Sequence, residues 1–183
     1  TTIKLTIHNV VGSRSLGIEI DLHTVSNIEF EQFNIQYEPE SFSGVVFRHM
    51  ELNPTVMLFR SGKFNIAGGG SVSETRETFS TFCTEVGGAT KLELQPDLEI
   101  RYFVTTGQLE REVYLPAASV ALGVDETEYE PEQFPGLFYR PGDQNWFAIL
   151  FTSGSIIVDG EPDMSILESA YEEIDQTLLE NNI

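Results

Sequence analysis

Apolar and polar positions alternate along the start of the chain, with Ile3, Leu5, Ile7 and Val11 on one parity and Asn9 set among them. A period of two is the signature of a strand. The pattern predicts a strand here, a turn at Gly12 to Gly17, and a short second strand running into a helix over about 21–30. Three further strands are read at "GVVFRHM", "TVMLFRS" and "KFNIAG", and the Ser61-Gly62 break between the last two suits a hairpin. "SVSETRETFSTFCTEV" then reads as a helix, with Ser73 and Glu77 near its start and Gly87 and Gly88 as its stop. Near the end of the chain, Ile166, Tyr171, Ile174 and Leu178 fall on one face of a last helix.

The same order of elements occurs twice. "YEPESFSGVVFR" begins at Tyr37 and "YEPEQFPGLFYR" at Tyr129, and seven of the twelve positions are identical. "LFRSG", ending at Gly62, lies over "LFTSG", ending at Gly154, at the same offset of 92, and Gly68 lies over Gly160. Upstream, "TIHNVVGSRSLGIEIDL" aligns with "EIRYFVTTGQLEREVYL" at an offset of 93. A period this long is not a solenoid repeat and covers the chain twice, so it indicates a duplicated half-domain. Residues 1–92 and 93–183 are expected to be the two repeats of one compact domain, each a five-stranded curved sheet carrying two helices. A sheet face without helices normally turns polar, so apolar residues on it imply a partner.

Charge complicates the choice of partner. The chain carries 29 acidic and 10 basic residues, a formal −19. Residues 1–92 hold 10 acids and 7 bases, a net of −3, and residues 93–183 hold 19 acids and 3 bases, a net of −16. Such a balance argues by itself against nucleic acid. Lysine-poor, acid-rich surfaces also suit a cytosol of molar salt, where screening falls to about 3 Å; the competing explanation is a surface that repels or imitates nucleic acid. Cys83 is the only cysteine, which excludes an intrachain disulfide and is read as a structural thiol. No run of about 20 apolar residues is present, and a cytoplasmic location is expected.

The repeated "YEPE-F-G" block, the "LF-SG" hairpin and the "NVVGS" strand, in this order and spacing, resemble the TATA-box-binding protein family over nearly all 183 residues. The resemblance implies an α+β saddle: two pseudo-symmetric repeats forming one curved antiparallel sheet, with helices on the convex face and DNA on the concave one. This family is itself a standard example of minor-groove kinking by inserted apolar side chains. By position the intercalating pairs are Phe42 with Phe59 and Phe134 with Phe151, each pair 17 residues apart. The groove face implied is Asn9, Val11, Met57, Ala67, Tyr102, Val104, Ile149 and Asp159. Asn9 brings an amide donor to a groove whose A·T pairs offer only acceptors.

Departures from the family fall on this face. Tyr102 replaces the second amide, and Ala67 and Asp159 replace two threonines. Arg48, Lys63 and Arg140 match phosphate-binding positions, whereas Asn53, Asn145 and Ser155 stand where the family has bases. Each phosphate contact adds about −0.9 to the slope of log affinity against log salt, so such contacts contribute little in molar salt. Apolar insertion and burial, which strong salt supports, remain. The resemblance also implies that the second-repeat loop with Glu130, Glu132 and Gln133 receives transcription factor B, and through it RNA polymerase.

The expected function is that of a general archaeal transcription initiation factor which binds and bends A·T-rich promoter DNA. The alternative is a divergent paralogue with weakened DNA binding, acting as a protein-interaction or alternative-specificity regulator. A homodimer in the absence of DNA is left open. No catalytic constellation is legible: His8, His23 and His49 lack ligand partners, and "IAGGGS" lacks the spacing of a phosphate loop and reads as a strand-to-helix turn. No enzyme activity, cofactor or metal is expected.

Overall fold

A computed structural model describes residues 4–95 and 97–183. Ile3, the first residue of the predicted alternation, lies outside the described residues. The chain folds as two compact units, Asn9–Arg101 and the segment before Asn9 together with Tyr102–Ile183.

In the first unit an open antiparallel sheet forms from β1 (Thr6–Ser15, entering this unit at Asn9), β2 (Phe33–Gln36), β3 (Gly44–His49), β4 (Thr55–Phe59) and β5 (Lys63–Gly69). The order across it is β2-β3-β4-β5-β1. Two helices accompany it, α1 (Leu22–Ser26) and α2 (Val72–Thr90). Residues of one parity, Val45 and Phe47, Val56 and Leu58, Phe64 and Ile66, are buried in one cluster with Phe79, Phe82, Cys83 and Val86 of α2. The helices therefore cover one face, and the other parity, Val46, Met57 and Asn65 in register with one another, faces away from them.

The second unit repeats the plan with β6 (Glu99–Gln108), α3 (Leu115–Leu122), β7 (Thr127–Glu128), β8 (Leu137–Tyr139), β9 (Phe147–Leu150), β10 (Ser155–Asp159) and α4 (Met164–Glu180). Its strand order is β6-β10-β9-β8-β7. Leu137, Tyr139, Ala148, Leu150, Ile156 and Val158 are buried on the helix side, with Leu167, Ala170, Tyr171, Ile174 and Leu178 of α4. Leu167, not the predicted Ile166, belongs to the buried stripe; Ile166 is exposed.

Three local expectations are corrected. The first strand does not turn at Gly12 but continues to Ser15, because Gly12 pairs with Ile66 of β5. The residues read as the end of that turn and a short second strand gain two backbone bonds, Leu16 N–H to Gly62 O and Ile20 N–H to Arg60 O, and form no strand. The fifth strand is instead β2, after α1. That helix stops at Ser26, since Asn27 Nδ2 and Ser26 Oγ both bond the His23 carbonyl and compete with the helical ladder. Finally, α2 starts on Ser71, whose hydroxyl accepts from the Glu74 N–H, and passes through both glycines to end at Lys91 in a left-handed conformation. Gly87 is required by packing, because a Cβ there would lie 2.8 Å from the Leu92 carbonyl oxygen.

The "IAGGGS" turn does join strand to helix. Gly68 has a φ of +99°, and at Gly69 a Cβ would fall 2.2 Å from Thr75 Oγ1. Cys83 is buried, and burial pushes its thiol up to about 11, so it is an unreactive core group.

Candidate nucleic-acid interface

In both units the helix-free face is largely apolar. In the first it carries Val11, Val46, Met57 and Ala67, all half-buried. In the second, Phe138, Ile149 and Ile157 form one row across three strands, and Phe147, Asp159 and Val104 form the next. Val46, Phe138, Phe147 and Ile157 were not singled out from sequence, although each shares strand parity or register with Met57 or Ile149.

The four predicted wedge residues all lie on these faces. Phe42 and Phe59 meet edge to face at 5.7 Å between ring centroids, and Phe134 and Phe151 meet at 5.9 Å. Phe42 and Phe134 are 38% and 37% exposed, well beyond what a core phenylalanine shows. Each follows a short turn in which the Glu38 or Glu130 carbonyl accepts the phenylalanine N–H, at 2.9 and 3.0 Å.

A glycine lies under each pair and makes room for it. At Gly44 a Cβ would approach Phe42 to 2.9 Å and Phe59 to 3.1 Å; at Gly136 it would approach Phe134 to 2.6 Å and Phe151 to 3.1 Å. These are the glycines of the two "F-G" blocks, and the space they leave sets the ring positions. Gly136→Ala is therefore expected to displace both rings and weaken duplex binding. Gly142→Ala is the control, since a Cβ there meets only Glu126 Oε1, at 3.8 Å. Fluorescence anisotropy with a labelled duplex compares the two.

In the first unit the amide on the face is oriented by the turn after β5. The Gly68 N–H donates to Asn9 Oδ1 at 2.6 Å. That bond fixes the amide, so both hydrogens of Asn9 Nδ2 remain for acceptors in front of the sheet. Tyr102 stands at the matching position of the second unit, 37% exposed.

Burial raises the Asp159 carboxyl above its ordinary 3.8, with the adjacent Gly160 N–H dipole pulling the other way. The folded protein thus binds this proton more tightly than the unfolded chain, and stability is lost as pH rises from 3.8 through the higher folded value. Asp159→Asn is expected to melt above the parent at neutral pH and to converge on it as pH falls toward 3.8. Thermal melts across that range measure the difference.

Among the cations, the Arg140 guanidinium lies 5.1 Å from the Phe138 ring centre and 5.4 Å from that of Phe147, with Glu128 at 3.8 Å. Arg48 and Lys63 are exposed on β3 and β5. Asn53 is committed elsewhere, its side-chain and backbone N–H groups donating to Glu74 Oε1 at 3.1 Å. Ser155 Oγ donates to Gln108 Oε1 at 2.9 Å, and Asn145 is exposed. In the loop before Phe134, Glu130, Glu132 and Gln133 are exposed, and the Gln133 amide bonds the Glu130 carboxylate.

The family model described as transcription factor TFIID, or TATA-binding protein, matches residues 4–87 and again 97–181. The chain belongs to the TATA-binding protein family. A TATA-box-binding protein of Natronomonas pharaonis is 37% identical, the match covering 87% of this chain and 85% of the relative. TATA-box-binding protein C of Halobacterium salinarum is 35% identical, with 91% and 92% covered. The solved structure of the Methanococcus jannaschii TBP superposes with a TM-score of 0.78 at 34% identity, covering 97% of this chain and 99% of that one. Open antiparallel sheet with helices, in two repeats, is thus the TATA-binding protein fold. Members of this family are DNA-binding transcription factors, not enzymes.

The three histidines are accounted for within this fold. His8 Nε2 lies 2.6 Å from Thr106 Oγ1, His49 Nδ1 accepts the N–H groups of Glu51 and Leu52 at 3.1 and 3.0 Å, and His23 is exposed. Among the described residues no helix is long and apolar enough to cross a membrane.

Proposed function

We propose that this chain is a general transcription initiation factor of a salt-loving archaeon, which binds A·T-rich promoter DNA through the minor groove and bends it. The observation that carries the reading is the pair of phenylalanines held over a glycine on the helix-free face of each repeat. An apolar ring on a rigid strand can replace a base as a stacking partner. Asn9 supplies the donor for A·T acceptors, and Val11, Val104, Met57 and Ile149 supply apolar contact. Arg48, Lys63 and Arg140 position the phosphates. The loop with Glu130, Glu132 and Gln133 receives transcription factor B, which brings RNA polymerase.

Three cations give a shallow salt dependence: log affinity against log salt is expected to fall with a slope no steeper than about −3. Titrating a labelled A·T-rich duplex from low to molar potassium chloride measures it. The second reading, a paralogue that binds DNA poorly and acts through proteins, is favoured by Tyr102, Asp159 and the engaged Asn53. It requires that no duplex bind at any salt concentration while transcription factor B is still captured; the first reading requires binding in molar salt that Phe134→Ala removes.

A further inference from the structure

We infer that Asp159 is a specificity-determining residue which reads the exocyclic amino group of a guanine, so that this protein selects a G·C pair at one position inside its A·T-rich element. The inference rests on the minor-groove reading above.

Asp159 lies on the helix-free face, half-buried, between Phe147 of β9 and Val104 of β6. Among the described residues no lysine or arginine pairs with it. An ionised carboxylate has about four lone-pair sites in all. On this face of the strand they are turned to whatever lies against the sheet.

That surface meets a groove of narrow chemistry. In the minor groove, A·T and T·A pairs present only acceptors, and the guanine amino group is the one donor any base pair offers there. A carboxylate set against acceptors is left unpaired and desolvated, which is costly. Set against a guanine amino group it gains a charge-assisted hydrogen bond. Thus the chemistry of the side chain chooses the base pair.

The position is confined to one repeat. Ala67 stands at the matching place in the other, half-buried and without a polar side chain. The same demand is absent there, so an element with its G·C pair in one half fixes the direction in which the protein binds. Asp159 sits opposite Phe147, four residues before Phe151, or about 13 Å along the strand. The base pair it reads therefore lies away from the step at which Phe134 and Phe151 insert.

The test uses the full chain in molar potassium chloride and a set of A·T-rich duplexes in which each pair in turn is replaced by G·C or by inosine·C. Inosine presents the same groove without the amino group. At one position the G·C duplex is expected to bind about tenfold more tightly than its inosine·C counterpart. That preference is expected to vanish in Asp159→Ala, which copies Ala67, with melting temperature confirming that the variant is folded. Equal binding of guanine and inosine at every position, or a preference that survives the substitution, overturns the inference and leaves the minor-groove reading standing, provided the A·T duplexes bind and Phe134→Ala removes that binding. If no duplex binds, the reading and the inference fall together.

Discussion

Phe134→Ala is expected to weaken binding of an A·T-rich duplex in molar potassium chloride by about a hundredfold while leaving the melting temperature of the free protein nearly unchanged. The size follows from what the ring does on each side of binding. In the free protein Phe134 is 37% exposed and touches Phe151 and Phe138 at ring distances of 5.9 and 5.1 Å, so its removal opens no enclosed cavity. In the complex it replaces a stacked base, an interaction of about 1–3 kcal/mol on alanine substitution. Losing it also leaves Phe151 without its edge-to-face partner, which adds to the loss. Phosphate contacts cannot compensate at this salt concentration, because screening acts over about 3 Å. Anisotropy titration of a labelled duplex gives the affinity, and calorimetry of the free protein gives the melting temperature.

The opposite balance is expected on the other side of the sheet. Phe82 of α2 is fully buried, with Phe47 at 5.0 Å, Phe64 at 5.8 Å, Phe79 at 6.0 Å and Phe33 at 6.3 Å between ring centres. Four aromatic neighbours from three strands and the helix cannot all close over a missing ring. Phe82→Ala is expected to cost about 3–5 kcal/mol of stability, measured by urea unfolding in molar potassium chloride. Duplex affinity of the molecules that remain folded is expected to stay within about threefold of the parent, since no residue of the helix-free face is touched. A loss below about 1 kcal/mol would mean that α2 does not cover the face to which the structure assigns it.

Together these substitutions separate two phenylalanine populations that composition alone cannot distinguish. Sequence offered one usable signal, the repeat: Phe42 and Phe134 recur at an offset of 92 beside "EPE", where a core residue is least expected. The strands were legible where apolar residues alternate, and β3, β4 and β5 fall close to where the pattern placed them. β2 was not legible, because Phe33–Gln36 is short and the preceding Leu16–Ile20 segment has the stronger alternation yet gains only two backbone bonds. Glycine misled in one place and was silent in another. Gly87 and Gly88 read as a helix stop, although Gly87 serves close packing inside α2. Nothing in the sequence says that Gly44 and Gly136 seat the ring pairs, since that depends on which side chains the register brings above them.

Asp159 shows the same limit at the candidate site. In sequence it is a carboxylate at odds with a DNA-facing strand. In the fold it lies half-buried between Phe147 and Val104 on the helix-free face, whereas the amide of Asn9 in the other unit is held by the Gly68 N–H. Which neighbours flank the acid becomes visible only when cross-strand register is known. Asn53 is similar: as a missing base it weakens the case for DNA, but its bonds to Glu74 tie the loop after β3 to the first turn of α2.

The measurement that bears most directly on the central claim is the end-to-end distance of a duplex carrying a donor dye at one end and an acceptor at the other, with the element between them. On saturation with the protein in molar potassium chloride, energy transfer is expected to rise as the ends approach, and to stay at its free-duplex value when Phe42, Phe59, Phe134 and Phe151 are all alanine. Saturable binding of the parent protein with no change in transfer would contradict the account, because the duplex would then be held without being wedged.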